Sequence, residues 1–118
     1  MATSPTPNKG KPKFTAEWFL ETKMNGKLRD NPESMDGFDC VYQFEIDDRV
    51  WHLDLTGYDN RQIVRGPHND SDCTIKMSEE NFEKMLKRQL NVPLALVTGK
   101  IKIKGDKALV LKLMKLFS

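Results

Sequence analysis

The sequence predicts an α+β domain whose helices lie together on one face of a mostly antiparallel sheet. Four short segments between residues 40 and 77 alternate apolar and polar positions, as half-buried strands do. A fifth alternating segment, 100–104, lies between two glycines. Helical patterns stand before and after the group of four strands instead of between its members, which argues against a βαβ fold.

Length and charge exclude several classes of protein. A chain of 118 residues has the length of one domain. Its 19 basic and 17 acidic residues are mixed along the chain and leave a net charge of +2. We expect no nucleic-acid partner, because such domains concentrate a basic excess on one face. The lysines at 100, 102 and 104 are interpreted as the solvated side of a strand. The alternative, nonspecific nucleic-acid binding, would depend steeply on salt.

The cysteines and the two ends of the chain indicate the cellular compartment in which the protein works. Cys40 and Cys73 are far apart and lack the spacing of a metal site, and a secreted domain held by disulfides would carry more cysteines. No apolar run is long enough to span a membrane. Residues 116–118, Leu-Phe-Ser, are not an SKL-type peroxisomal signal. We expect an intracellular protein, cytoplasmic or peroxisomal, and a monomer.

The first folded element is predicted to be a helix. Residues 1–13 contain no core residue and predict a disordered tail, so the domain should span 14–118. Thr15 or a residue just before it would cap the helix. Its apolar face comprises Ala16, Phe19, Leu20, Met24 and Leu28. Trp18 lies off this face and is available for a membrane surface or a partner.

The four strands are predicted at 40–46, 50–55, 61–65 and 73–77. Polar turns join them, and their close spacing predicts an antiparallel meander. The inward positions are Cys40, Tyr42, Phe44, Ile46, Trp51, Leu53, Leu55, Cys73, Ile75 and Met77.

The remaining helices are unusually apolar. Ser78 is predicted to begin a helix whose inner face carries Phe82, Met85, Leu86 and Leu90. Pro93 would open a short helix over 94–98 that is apolar on every side. The last helix, 107–117, is apolar almost all the way round, whereas a surface helix needs one apolar stripe. Something besides the sheet must cover its second face, and a bound lipid is one candidate.

Three segments together resemble the sterol carrier protein 2 (SCP-2) family of lipid-binding domains. The first is the strand pair with Tyr42-Gln-Phe44 and Val50-Trp-His-Leu-Asp-Leu55. The second is 72–82, Asp-Cys-Thr-Ile-Lys-Met-Ser-Glu-Glu-Asn-Phe, and the third is 98–106, Thr-Gly-Lys-Ile-Lys-Ile-Lys-Gly-Asp, with the apolar helix after it. In this order they are specific together. One departure is Val92, which separates Asn91 from Pro93 where the family has an Asn-Pro turn.

The resemblance implies a five-stranded, mostly antiparallel sheet with helices on one face around an apolar tunnel. Such a tunnel takes fatty acids, fatty acyl-CoA, sterols or phospholipids, and the implied function is lipid binding or transfer. The resemblance implies no catalytic residue, no metal and no cofactor. Transient contact with a membrane surface would fit this function.

The side chains expected to line the tunnel come from the inward strand positions and the apolar helix faces. They are Phe44, Trp51, Leu53, Ile75, Met77, Phe82, Met85, Leu86, Leu94, Val97, Ile101, Ile103, Leu109, Leu113, Met114 and Phe117. Methionines suit such a space because the unbranched thioether adapts to different ligand shapes. A lipid head group would need cations near the helix ends, and the candidates are Lys87, Arg88, Lys100 and Lys112.

Two other classes of function stay open. One is a non-catalytic protein- or membrane-interaction module with a filled core and no lipid site. The other is a small enzyme, which would need a reactive group. His52 alternates outward on its strand and His68 lies in a loop, without a recognisable catalytic spacing to a carboxylate or a cysteine. The two cysteines fall on inward positions and are interpreted as inert buried thiols.

Overall fold

A five-stranded mixed sheet forms the frame of the molecule. The computed structural model describes residues 14–57 and 61–117, so the predicted tail, 1–13, lies outside the described residues. The first helix, α1, joins a π-helical segment, Trp18–Met24, to an α-helical segment, Asn25–Asp30, and a 3₁₀ turn follows at Pro32–Met35. The other elements are β1 (Val41–Ile46), β2 (Arg49–Asp54), β3 (Ile63–Arg65), β4 (Cys73–Met77), α2 (Glu79–Leu86), α3 (Val92–Thr98), β5 (Ile101–Gly105) and α4 (Ala108–Phe117).

The order of the strands departs from the predicted meander. The sheet runs β3-β2-β1-β4-β5. The first three strands form the expected antiparallel meander, but β4 then crosses to the free side of β1 and pairs with it in parallel. The prediction that all four strands form one antiparallel meander was therefore wrong at the β3–β4 step. Alternation of apolar residues shows which face of a strand is buried and carries no information about its neighbour.

Asp72 stabilises the start of β4 beside β1, where the chain has crossed over from β3. Its carboxylate accepts a hydrogen bond from the backbone N–H of Val41 at 2.8 Å, and its own N–H donates to the Val41 carbonyl at 2.9 Å. Its carbonyl accepts from the N–H of Asp106 at 3.0 Å, where β5 ends. Gly105 passes so close that a Cβ there would lie 2.2 Å from the Asp72 oxygen, and its φ is +93°. Only a glycine fits at position 105, because any side chain would collide with the Asp72 carbonyl and other residues rarely adopt this φ.

The helices lie on one face of the sheet, as predicted. Tyr42, Phe44 and Ile46 point from β1 into the core beneath the helices. Gln43 and Glu45 point from the same strand to the other face, where the Gln43 amide donates to the Glu45 carboxylate at 2.9 Å. One face of the sheet is therefore apolar and covered, and the other is polar.

Hydrogen bonds and an ion pair attach α1 to the rest of the domain. The Glu21 carboxylate accepts from the buried indole N–H of Trp51 at 2.7 Å and from the Arg65 guanidinium. Asn25 pairs with the edge strand β3, accepting from the Ile63 N–H at 2.6 Å and donating to its carbonyl at 3.0 Å. The predicted apolar face of this helix is confirmed, because Ala16, Phe19, Leu20, Met24 and Leu28 are all buried.

The last helix is held in a different way. Val110 and Leu113 of α4 are buried against the sheet and the other helices. The phenol of Tyr42 donates a hydrogen bond to the Leu109 carbonyl at 2.7 Å. Nearer the surface, the Lys112 ammonium donates to the Gly37 carbonyl at 2.6 Å and lies over the Phe38 ring.

Candidate functional site

An apolar pocket lies between the sheet and three of the helices. Its floor comes from the inward positions of three neighbouring strands, and its walls come from α2, α3 and α4. The lining residues are Phe44, Ile75, Met77, Phe82, Met85, Val92, Ile101, Val110, Leu113 and Met114. None of these described residues is polar, so none of them could perform acid–base or nucleophilic chemistry.

The pocket has very little free volume. Its volume is about 10 Å³, which is room for one water molecule. Met77, Met85 and Met114 come from three different elements, and each contributes a flexible, unbranched thioether to the wall. An apolar cavity of this kind stays dry and accepts only apolar groups.

Local side-chain caps position two of the three helical walls, α2 and α3. The Ser78 hydroxyl accepts from the Asn81 N–H at 3.1 Å and begins α2, which presents Phe82 and Met85 to the pocket. The Asn91 side chain accepts from the Leu94 N–H at 3.1 Å and begins α3. Proline at the second position of α3 has no N–H that a cap would need to satisfy.

About half of the predicted lining residues come together at this pocket. These are Phe44, Ile75, Met77, Phe82, Met85, Ile101, Leu113 and Met114. Trp51 and Leu53 are fully buried elsewhere in the core, and Leu86, Ile103 and Leu109 are partly buried against it. The side chain of Phe117 lies outside the described residues. Contact of any of these residues with a lipid stays a prediction.

The structure corrects the predicted placement of Leu94 and Val97. Both lie outside the pocket lining, with exposed fractions of 57% and 84%. Ala95 is the residue of α3 that faces the core, and it is 2% exposed. A short helix that is apolar on every side contains no stripe from which its orientation can be predicted.

Two lining residues were not predicted from the sequence. Val92, before Pro93, looked like part of a helix break, but it forms the first turn of α3 and reaches the pocket. Val110 belongs to the apolar helix α4, where almost every position is a candidate for the inner face. The spacing of Val110, Leu113 and Met114, three and four residues apart, is the signal that could have identified the inner face.

The predicted head-group cations do not converge on the pocket. Lys87, just after α2, forms an ion pair with Glu83 of that helix, and the Lys112 ammonium donates to the Gly37 carbonyl. Arg88 is exposed and has a positive φ of 60° just after α2. Lys100 borders a separate open cleft of about 350 Å³ at the end of the sheet. That cleft is lined by Asp47, Lys76, Met77, Ser78, Asn81, Gly99, Lys100 and Lys102.

The buried titratable groups beside β1 are kept protonated. Burial raises the pKa of the Cys73 thiol to about 11, and burial is also the largest cause that raises the pKa of Cys40. The pKa of the Tyr42 phenol is likewise raised by burial. Because the thiolate is the nucleophilic form of cysteine, burial lowers the nucleophilic reactivity of both thiols.

A polar cluster on the open face of the sheet brings both histidines together. The His68 Nε2 lies 3.4 Å from an Asp54 carboxylate oxygen, and the His52 and His68 rings meet edge to face at 5.1 Å. This proximity could not be predicted from the residue spacing, because the two histidines are brought together by the β2–β3 pairing. Hydrogen bonds from Thr56 are the largest cause that lowers the pKa of Asp54. His52 Nδ1 lies 2.9 Å from the Gly66 carbonyl oxygen, so one of its ring nitrogens is already held by the backbone.

Comparison with known families identifies the chain. The profile of the SCP-2 sterol transfer family matches residues 13–118. The chain belongs to this family. The resemblance predicted from the strand and helix motifs is therefore confirmed over the whole described domain.

Solved SCP-2 structures share the fold. A palmitated SCP2L2 protein from Aedes aegypti matches with a TM-score of 0.69 at 23% identity, over 88% of this chain and 95% of that protein. The sterol carrier protein domain 2 of Helicoverpa armigera matches with a TM-score of 0.68 at 20% identity, over 92% and 90%. At such identities the agreement shows the fold alone, and it confirms the predicted five-stranded α+β architecture.

The curated relatives of this SCP-2 domain are much longer proteins. Hydroxysteroid dehydrogenase-like protein 2 of Bos taurus is 38% identical over 82 residues, which are 67% of this chain and 20% of that protein. The human protein of the same name is 35% identical over 82 residues, with the same coverage. The chain thus spans about a fifth of the length of these relatives. Within the described residues, no helix has the length and apolar character that a membrane span requires.

Proposed function

We propose that this SCP-2 domain binds one lipid molecule in the apolar pocket and transfers it without chemical change. The ligand would be a fatty acid, a fatty acyl-CoA, a sterol or a phospholipid. The observation that carries the proposal is the pocket itself, which is lined by ten apolar residues and bounded by three short helices. A lining without a polar group selects ligands by shape and apolar area and leaves them unreacted.

The pocket must enlarge to accept such a ligand. Sites for ligands of this size have volumes of about 300–1,000 Å³, against about 10 Å³ in the structure. Keeping about 300 Å³ empty would cost about 7 kcal/mol at 24 cal/mol per Å³, which rivals the stability of a whole domain. We therefore expect the free protein to close the pocket and the ligand to open it.

The burial pattern supports opening at the helical side. Met114, Leu109 and Val92 are only partly buried, whereas the strand residues of the floor lie within continuous hydrogen-bonded ladders. An acyl chain gains about 0.8 kcal/mol per buried methylene, and this gain can replace the apolar contacts that the helices give up.

The proposal is tested with delipidated protein and palmitate. At a ligand concentration 100-fold above Kd, the unfolding free energy should rise by about 2.7 kcal/mol and Tm by about 10 °C. Palmitate should also displace a fluorescent fatty acid with a stoichiometry of one. An unchanged Tm with palmitate, palmitoyl-CoA and cholesterol alike would contradict the proposal.

A second candidate function is a protein- or membrane-interaction module with a filled core. The small pocket volume favours it, because about 10 Å³ leaves no space for a ligand without rearrangement. The two functions differ in one measurement. A filled-core module gives no displacement of the fluorescent fatty acid, and substitutions in the pocket change its stability alone.

The proposal also covers the protein context of the domain and its place in the cell. The curated relatives have dehydrogenase-like names and extend well beyond the matched segment. Such a setting would let a lipid carrier present its ligand to a catalytic domain, while the SCP-2 domain itself takes no part in catalysis. We propose an intracellular location, cytoplasmic or peroxisomal, a monomeric state and transient contact with membranes during loading.

A further inference from the structure

Helix α3 exposes an apolar face that the fold does not use. Its seven residues carry no charge, and the one that is fully buried is the smallest, Ala95, while Val92 is partly buried. Pro93, Leu94, Leu96 and Val97 are all exposed, and Val97 is the most exposed of the large apolar residues described. Burying Val97 and Leu94 inside would have stabilised the domain, so their outward position needs another explanation.

Unpaired cations adjoin this apolar face. Gly99 ends α3 in a left-handed conformation and also lines the open cleft that holds Lys76, Lys100 and Lys102. A seven-residue helix is about 10 Å long, and its C-terminal end, which precedes Gly99, adjoins the cleft. Lys76 and Lys102 are directly opposite each other on β4 and β5, which places two like charges side by side.

Most of the neighbouring acids are engaged with other cations. One exception is Glu45 of β1, which lies opposite Lys76 in the sheet and accepts a hydrogen bond from the neutral Gln43 amide. On α2, Glu79 binds Arg49, Glu80 pairs with Lys84, and Glu83 pairs with Lys87. Among the residues that the structure describes, no ion pair includes Lys76, Lys100 or Lys102. Asp47 is the one carboxylate in the cleft lining, against three ammonium groups. Lysines on an edge strand also prevent strand pairing, but that role gives no reason for the apolar face next to them.

The geometry points to α3 and the lysine cleft as the surface that docks on an anionic lipid bilayer. Leu94 and Val97 would enter the boundary between head groups and acyl chains, and Lys100 and Lys102 would bind lipid phosphates. This inference deepens the proposed function and rests on it for its purpose. Val92, in the first turn of α3, also lines the apolar pocket, so the docked helix would stand between the membrane and the site.

The test is sedimentation of the protein with vesicles of phosphatidylcholine containing 30% phosphatidylserine. We expect Leu94→Asp with Val97→Asp to lower the partition coefficient at least about tenfold, because two apolar anchors become charged. Lys100→Gln with Lys102→Gln should lower it about fivefold per lysine. Vesicles of phosphatidylcholine alone should bind the wild type as weakly as the lysine variant binds the anionic vesicles.

Matched controls separate this surface from others. Val64→Asp changes an apolar residue that is 40% exposed on the opposite edge strand. Trp18→Ala, and Lys23→Gln with Arg29→Gln, test α1, where Trp18 is 42% exposed and the Lys23 ammonium lies 5.9 Å from its ring. All three controls should change vesicle binding less than twofold. All these positions are on the surface, so circular dichroism and Tm should stay at their wild-type values.

Several results would overturn the inference. They are wild-type binding by the variant with both Leu94→Asp and Val97→Asp, loss of binding in the α1 controls, or no binding of the wild type to anionic vesicles. A dimer in sedimentation velocity that Val97→Asp dissociates would assign the face to a second copy of the chain instead. The palmitate-induced Tm shift, measured on the same variants, keeps the two proposals distinct. If the shift is absent while vesicle binding depends on α3, the docking surface stands and the proposed lipid carriage fails.

Discussion

The first and last helices of the domain both pack apolar side chains on the same face of the sheet, but they differ in the polar bonds that attach them. Helix α1 is joined to the sheet by directional bonds, from Glu21 to Trp51 and Arg65 and from Asn25 to Ile63. Helix α4 is attached mainly by apolar packing, with one hydrogen bond from the buried Tyr42 and another, at the surface, from Lys112 to Gly37. Apolar contacts can be exchanged for contacts with a ligand at little cost, whereas a buried hydrogen bond cannot. The difference predicts that a lipid displaces α4 and leaves α1 in place.

The largest effect is expected from a matched pair of leucines. Leu28 of α1 and Leu113 of α4 are both 1% exposed. Either substitution to alanine should lower the unfolding free energy of the delipidated protein by about 2–5 kcal/mol. Saturating palmitate should recover at least about 1 kcal/mol of this loss in Leu113→Ala, because the ligand fills the new space, and none in Leu28→Ala. Urea unfolding with and without palmitate measures both values, and equal recovery in the two variants would remove the distinction between the helices.

A smaller effect is expected when the polar attachment of α1 is removed. Glu21→Ala leaves the buried indole N–H of Trp51 without its acceptor and should cost about 2 kcal/mol. The palmitate Kd should stay within about twofold of wild type, since α1 does not line the pocket. The exposed Glu33→Ala is the control and should leave both stability and Kd unchanged. A large change in the Kd of Glu21→Ala would show that α1 takes part in ligand binding.

The buried hydrogen bond of α4 should control ligand exit. Tyr42→Phe removes the donor to the Leu109 carbonyl and should cost about 1 kcal/mol of stability. Opening of α4 becomes easier by the same amount, so palmitate should dissociate about fivefold faster in stopped-flow transfer to vesicles. A dissociation rate equal to that of the wild type would mean that α4 does not move when the ligand leaves.

The smallest effect concerns acid. The hydrogen bond from Trp51, and then the Arg65 guanidinium, hold the pKa of Glu21 below its ordinary value of 4.5. A carboxylate with a lowered folded-state pKa adds stability that is fully present above its unfolded pKa and is lost as pH falls through the folded value. Between about pH 5 and pH 3, the unfolding free energy of wild type should therefore fall more steeply than that of Glu21→Gln. Parallel pH profiles for the two proteins would contradict this attachment of α1.

The same two regions show how far the sequence could predict the structure. Periodicity identified the buried face of α1, because polar residues mark its other side. It also identified the inward residues of β1 and β4 that form the pocket floor. The parallel position of β4 could not be predicted, since it depends on the pairing of Asp72 with Val41 across 31 positions. The orientation of α3 could not be predicted either, because an apolar helix without a polar face has no preferred side until it packs.

The central claim is that a lipid lies in the pocket beneath α4, and the methionine methyl groups test it most directly. Met77, Met85 and Met114 line the pocket, whereas Met24 and Met35 are buried in the core outside it. In protein labelled at the methionine methyl carbons and loaded with unlabelled palmitate, isotope-filtered NMR should show nuclear Overhauser contacts from the acyl chain to the first three methyl groups. Met24 and Met35 should show none. Contacts to Met24 or Met35, or contacts to no methionine in protein that binds palmitate, would place the ligand elsewhere and contradict the account.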